Sequence, residues 1–260
     1  MSIGSFIVRG TQPHADWKPS DPFPRGRNMS ISYRKSKLSV VIAICLLSFW
    51  GCGKNPAALQ AGIGTVTDID GNVYHTVTIG TQVWMAENLK TTRYNDGTAI
   101  PFVTDSIAWS HLTTPGYCWF NNDSATYGNT YGALYNWYTV NTGKLAPTGW
   151  HVPTDSEWTV LTSYLGGDSV AGGKLKDTGT TYWQSPNTGA TNTSGFTALP
   201  AGGRLANGTF FDIGTYSFWW SSTAYDVIYS WYRIMLFSAA NVSSNNFYNT
   251  SACSVRCVRD

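Results

Sequence analysis

Tyr225, Tyr229 and Tyr248 share one short stretch of the chain with Asn241, Asn245, Asn246 and Asn249. Flat rings and amide groups in one place suit a sugar, whose C–H faces stack on aromatic rings and whose hydroxyls need paired donors and acceptors. Trp219, Trp220, Trp231, Tyr232 and Phe247 stand among them. Trp220 and Trp231 are expected in the core, because Tyr229 to Phe237 is apolar on both faces like a central strand. Asn241 to Thr250 is expected to be an exposed loop carrying the ligand contacts. The same mixture of Tyr, Asn and Ser would equally suit an adaptable protein-binding surface.

Catalytic constellations are sparse. His75, His111 and His151 are scattered, no Gly-x-Ser-x-Gly elbow or phosphate-cradling loop occurs, and nothing predicts a metal site by spacing. Asp155 and Glu157 could pose as the carboxylate pair of a glycoside hydrolase. Their place in the first turn of an expected helix accounts for them through capping and the helix dipole. Asp68, Asp70 and Asn72 start like a calcium loop, but Val73 and Ile79 stand where the EF-hand needs glycine and glutamate. Asn121, Asn122 and Asp123 are the weak fallback, able to hold a sugar hydroxyl or a calcium ion. No other cofactor is expected. Of Cys118, Cys253 and Cys257, the last two would project from one strand face four residues apart, a poor geometry for pairing. A Cys118–Cys257 disulfide is therefore expected, with one thiol left over.

The elements that must position these groups are partly legible. Thr65 to Ile69 and Val73 to Ile79 alternate around Asp70-Gly71-Asn72 and predict a hairpin. Gly80 to Leu89 reads as a turn and a buried strand, with Trp84 as its anchor. Tyr131, Leu134, Tyr135 and Tyr138 fall at helical spacing and predict one helix, stopped by Asn141-Thr142-Gly143. A second is predicted from Thr154, where Thr154 and Glu157 form a capping box, Trp158, Leu161 and Leu165 make the buried stripe, and Gly166-Gly167 ends it.

The first quarter of the chain differs in kind. Arg34, Lys35 and Lys37 precede an apolar run from Leu38 to Trp50, followed by Gly51-Cys52. That run is too short for a span of ~20 residues and predicts a cleaved export signal over residues 29–51, with Met29 as the expected start and 1–28 as an upstream extension. The segment resembles a lipobox, so Cys52 is the expected lipidation site, residues 52–62 a tether, and the outer membrane or cell surface the destination. From Gly53 onward the chain holds 10 basic and 13 acidic residues, which removes the electrostatic footprint of nucleic-acid binding. Aromatic residues at 15 % outnumber charged ones at 12 %, a composition that favours an extracytoplasmic, β-rich domain over a cytosolic enzyme.

From residue 63 to 260 the chain resembles the Fibrobacter succinogenes major paralogous domain. The resemblance rests on Asp70-Gly71-Asn72-Val73-Tyr74, Val83-Trp84-Met85-Ala86-Glu87-Asn88-Leu89, Tyr117 to Asp123, Tyr131-Gly132-Ala133-Leu134-Tyr135-Asn136-Trp137, Gly149 to Trp158, Trp219-Trp220-Ser221-Ser222-Thr223 and Ser254 to Asp260. It implies an exported, often lipid-anchored bacterial domain. Val152 to Trp158 and Arg256-Cys257 also resemble, more distantly, the formylglycine-generating enzyme superfamily. That resemblance implies a single α+β domain of C-type-lectin-like fold, with short twisted strands, two main helices and long loops. The superfamily's paired catalytic cysteines have no counterpart between Trp219 and Phe237, so its oxidase chemistry is expected to be absent. The expectation is a non-catalytic lipoprotein binding an extracellular glycan, with a protein ligand, an accessory to an enzyme or a degenerate modifying enzyme as alternatives.

Overall fold

The computed structural model describes residues 64–260, so the expected signal, Cys52 and its tether lie outside the described residues. The described residues begin with β1 (Gly64–Thr67), β2 (Val73–Ile79) and β3 (Gln82–Met85), then α1 (Ser106–Ser110), β4 (Tyr117–Cys118), α2 (Ser124–Tyr131), β5 (Leu134–Asn136), α3 (Trp137–Val140) and β6 (Trp150–His151). Next come α4 (Asp155–Tyr164), α5 (Asp168–Leu175), β7 (Ala201–Arg204), β8 (Phe210–Ile213), β9 (Tyr216–Ala224), β10 (Tyr229–Leu236), β11 (Val242–Tyr248), β12 (Ala252–Cys253) and β13 (Val258–Arg259). The domain is α+β, dominated by sheets.

One sheet has five antiparallel strands in the order β1-β2-β3-β13-β6. The last strand of the chain thus enters its interior, with Val258 paired to Trp84 on one side and His151 on the other. The larger sheet runs β11-β10-β9-β7-β12-β5-β4, with β8 added beside β7. Side chains alternate across these strands, and the alternation divides the core. Met85 and Trp220 turn into the cluster around Tyr74, Tyr135 and Val255. Their neighbours Trp84 and Trp219 turn the other way and pack with Trp158, Leu161, Ala171 and Phe196 beneath α4 and α5. A Cβ on Gly172 or Gly173 would collide with the backbone of Asn241 or Gly189, so these glycines let α5 lie directly on its neighbours.

The hairpin forms as expected, with a wider loop than a tight turn. The Asp68 carboxylate accepts from the backbone N–H groups of Asp70 and Asn72, both at 2.9 Å, and Gly71 takes a φ of 84°. The capping box of α4 is complete, and Trp158, Leu161 and Leu165 are buried.

Three expectations are corrected. The spacing of Tyr131, Leu134, Tyr135 and Tyr138 does not make a helix: α2 stops at Tyr131, and Leu134 to Asn136 form a wholly buried strand. The break is at Gly132, whose φ of 77° and close approach to Asn88 and the Leu89 carbonyl leave no room for a side chain. Next, Asn241 to Thr250 is not a loop, because β11 pairs along β10 from Val242 to Tyr248 as the outermost strand of its sheet. Finally, the Cys118–Cys257 disulfide is not formed. Cys118 packs with Trp109, Phe120 and Leu134, whereas Cys257 lies in a different cluster with Tyr74 and Leu89. Cys253 and Cys257 do not share a strand either, since Cys253 belongs to β12 and Cys257 immediately precedes β13. Burial pushes the Cys118 thiol up to about 12 and those of Cys253 and Cys257 well above the ordinary range.

Candidate ligand-binding face

The pairing of β10 with β11 decides which of the Tyr and Asn side chains can act together. Tyr229 lies opposite Tyr248, Trp231 opposite Asn246, and Arg233 opposite Ser244. Opposite residues share a face, and so do residues two apart. Tyr229, Trp231, Asn246 and Tyr248 therefore lie on one face. The ring centroids of Tyr229 and Tyr248 are 4.6 Å apart, and Tyr225 meets Trp231 edge-on at 5.1 Å. Tyr225 is 53 % exposed and Tyr248 40 % exposed. The Tyr248 hydroxyl beside it pushes the Tyr229 phenol up to about 12, so the Tyr229 ring stays neutral at ordinary pH. Further along the face, Arg233 donates to Ser244 Oγ at 2.6 Å and forms an ion pair with Asp155, so the first turn of α4 borders the platform.

The remaining asparagines divide by position. Asn245 lies opposite Tyr232, on the other face of β11, and its side chain accepts from the Asn246 backbone at 2.8 Å. Asn241 precedes β11 and donates to Ser243 Oγ at 2.8 Å. It is separated from Tyr248 by the length of the strand, about 24 Å at ~3.4 Å per residue. Asn249 is buried at 3 % exposure and cannot contact a ligand. It instead accepts from Ser230 Oγ at 2.7 Å, and its backbone N–H donates to the Ile228 carbonyl at 2.8 Å, pinning the tip of the β9–β10 hairpin. Val227, 90 % exposed, and Ile228, 52 % exposed, stand at that tip. Sequence reasoning missed both as surface residues, and missed Trp231, which is half-buried beside Tyr225 rather than in the core. The one available signal was Asp226, a turn former whose carboxylate accepts from the backbone of Ile228 and Tyr229 at 2.7 and 2.8 Å.

The other candidates are occupied by structural tasks. Asp123 caps α2 through Thr126, and Asn122 donates to the Thr104 carbonyl at 3.1 Å. Among the described residues no group of three or more His, Cys, Asp or Glu side chains is placed to hold a metal. His151 does meet two carboxylates: Nδ1 is 2.7 Å from Asp260 and Nε2 2.8 Å from Glu157. Ionised carboxylates only accept, so the arrangement favours an imidazole that donates from both ring nitrogens. Burial alone would lower its pKa, but the bonds to Asp260 and Glu157 outweigh burial and raise it. Partial burial would raise the Glu157 pKa, yet its bonds from Thr154 and His151 hold it below the usual value. With both nitrogens engaged and no nucleophile in contact, the triad is a clamp between the C-terminus and α4.

The clamp predicts a pH dependence. The folded pKa of His151 lies above its ordinary 6.5, so its contribution is complete below that pH and is lost as pH rises through the raised value. The Glu157 contribution is present above about 4.5 and is lost as pH falls through the depressed value. Both side chains are about one-third exposed, which limits the gain to about 0.5–1 kcal/mol. In urea unfolding, His151→Gln should be less stable than the parent at pH 6 and closer to it at pH 9. A difference that stays constant with pH would contradict the clamp.

Residues 77–259 match the model of the Fibrobacter succinogenes major domain. No curated protein and no solved structure matches the chain. The match starts within β2 and runs into β13, taking in α4 with its capping box, the Trp219-Trp220 pair and the hairpin that carries the tyrosines. The chain belongs to the Fibrobacter succinogenes major domain family.

Proposed function

We propose that this protein is an envelope lipoprotein whose domain binds a glycan without catalysing a reaction, through the face formed by Tyr225, Tyr229, Trp231, Asn246 and Tyr248. The observation that carries the reading is the Tyr229–Tyr248 pair across β10 and the outer strand β11, with Asn246 two residues from Tyr248 on the same face. Rings fixed by cross-strand packing lose little freedom when a sugar stacks on them, and the neighbouring amide supplies directional bonds. The two-sheet α+β arrangement, with its long loops and internal C-terminal strand, is compatible with a C-type-lectin-like fold. All three described thiols are buried and protonated, which favours binding over cysteine chemistry.

A protein ligand is the second reading, favoured by the exposed Val227 and Ile228 beside the tyrosines. A glycan array separates the two. Tyr225→Ala combined with Tyr248→Ala should reduce glycan binding about tenfold or more while shifting stability by only about 0.5 kcal/mol per site, because exposed residues contribute contact area without supporting the core. Val227→Ser with Ile228→Ser should leave glycan binding intact. Array binding unaffected by the tyrosine changes would contradict the assignment.

Anchoring through a lipid on Cys52 is tested separately. Cys52→Ser should move the protein from the membrane pellet to the soluble fraction and abolish labelling by a fatty-acid analogue, since acyl chains supply the membrane affinity. Labelling that persists in the variant would refute it.

A further inference from the structure

A pocket of about 270 Å³ lies beside the β1–β2 loop and shares no lining residue with the tyrosine face. Asp70 and Asn72 come from that loop, Lys90 and Thr92 from the segment after β3, Trp119 from just past β4, and Asn129 from α2. The volume falls just under the ~300–1,000 Å³ typical of drug-sized ligands, so it suits one ring and not an extended chain.

The charges within it are not balanced. Asp70 is fully engaged: its carboxylate takes bonds from Thr91 Oγ1 at 3.1 Å, Thr92 Oγ1 at 3.0 Å, the Thr92 backbone and Arg93 Nε, both at 2.5 Å. Arg93 thus cancels the only carboxylate in the wall. Lys90 has no such partner. Its ammonium reaches Asn129 Oδ1 at 3.4 Å, and among the described residues it forms no ion pair. The pocket therefore carries one uncompensated positive charge.

Trp119 supplies the apolar wall. The Tyr117 ring stands perpendicular to it at 5.8 Å, and Gly128 of α2 lies so close that a Cβ there would be 3.2 Å from the indole. These two contacts fix the indole without covering it, since Trp119 remains half-buried. A bound ring could stack on the indole, bond its hydroxyls to Asn129, Thr92 and Asn72, and bring a carboxylate to Lys90.

We infer that this pocket binds a uronate, a pyranose bearing a carboxylate, as a site separate from the tyrosine face. Calorimetry on the full-length protein at low salt tests it with sodium galacturonate, its trimer, methyl galactoside and sodium acetate. Galacturonate or its trimer should bind about tenfold or more tightly than methyl galactoside or acetate, a charge-assisted hydrogen bond being the difference. Lys90→Gln should abolish that preference without changing the thermal midpoint, because Lys90 forms no ion pair that the fold would lose. Tyr248→Ala should leave it unchanged, so failure of this site and failure of the tyrosine face give different results. Binding of trimer alone would mark a site for chain-borne uronate, and binding of the monomer a site for the free sugar. The inference is overturned by equal affinity for acid and neutral sugar, by acetate matching galacturonate, by a preference that survives Lys90→Gln or vanishes in Tyr248→Ala, or by no binding in any arm.

Discussion

The guanidinium of Arg256 is solvated by the chain in place of water, and the fold converges on it. Arg256 is 1 % exposed. Its Nε donates to Asn88 Oδ1 at 2.8 Å, while its terminal nitrogens donate to the carbonyls of Met85, Phe196 and Thr197, and the Phe196 ring covers the cation at 4.3 Å. Burial lowers its pKa to about 9, which still leaves it charged at neutral pH. Asn88 Oδ1 also accepts from Trp219 Nε1 at 2.9 Å, and its amide donates to the Tyr131 carbonyl at 2.8 Å. One node thus ties the segment after β3, the end of α2, β9 and the last turn before β13. Buried backbone carbonyls must find donors, and a guanidinium with five N–H groups can serve several carbonyls that no strand reaches.

The same device recurs where long connections cross the core. Arg204 donates to the carbonyls of Val103, Thr104 and Gly208 and lies between the rings of Trp109 and Phe210. Lys176 donates to the carbonyls of Thr188, Leu236 and Ala239, with burial lowering its pKa to about 8. None of these three cations is paired with a carboxylate among the described residues. Each cation replaces strand pairing in a segment that has little of it. The connections are thereby held firmly, and aromatic side chains such as Tyr225 and Tyr248 can stay exposed on the sheet without having to hold the fold together.

Local signals survived into the structure where the chain itself completes the interaction. The capping box needs only Thr154 and Glu157, and the hairpin needs only Asp68 to Asn72. Signals failed where a distant partner decides. The helical spacing from Tyr131 to Tyr138 is overridden at Gly132, because the Asn88-Leu89 backbone occupies the space a continued helix would need. Asn241 to Thr250 has poor intrinsic strand propensity, but β10 offers a full edge, and pairing prevails. Asn249 matched the composition of a ligand contact, whereas its burial depends on a hairpin tip 22 residues away. The buried cations had no sequence signature, since their acceptors are backbone carbonyls up to 171 residues distant. Of the face itself, the residue types could be read, but which of them share a side could not, because that follows from the register of β10 with β11.

Equilibrium unfolding of Arg256→Met tests the node most directly, because methionine keeps much of the volume and removes the donors. The account predicts a loss of about 3 kcal/mol or more, the cost of leaving the carbonyls of Met85, Phe196 and Thr197 without donors, together with faster amide exchange at Leu89 and Thr197. A variant within about 1 kcal/mol of the parent, with exchange unchanged at those amides, would contradict it.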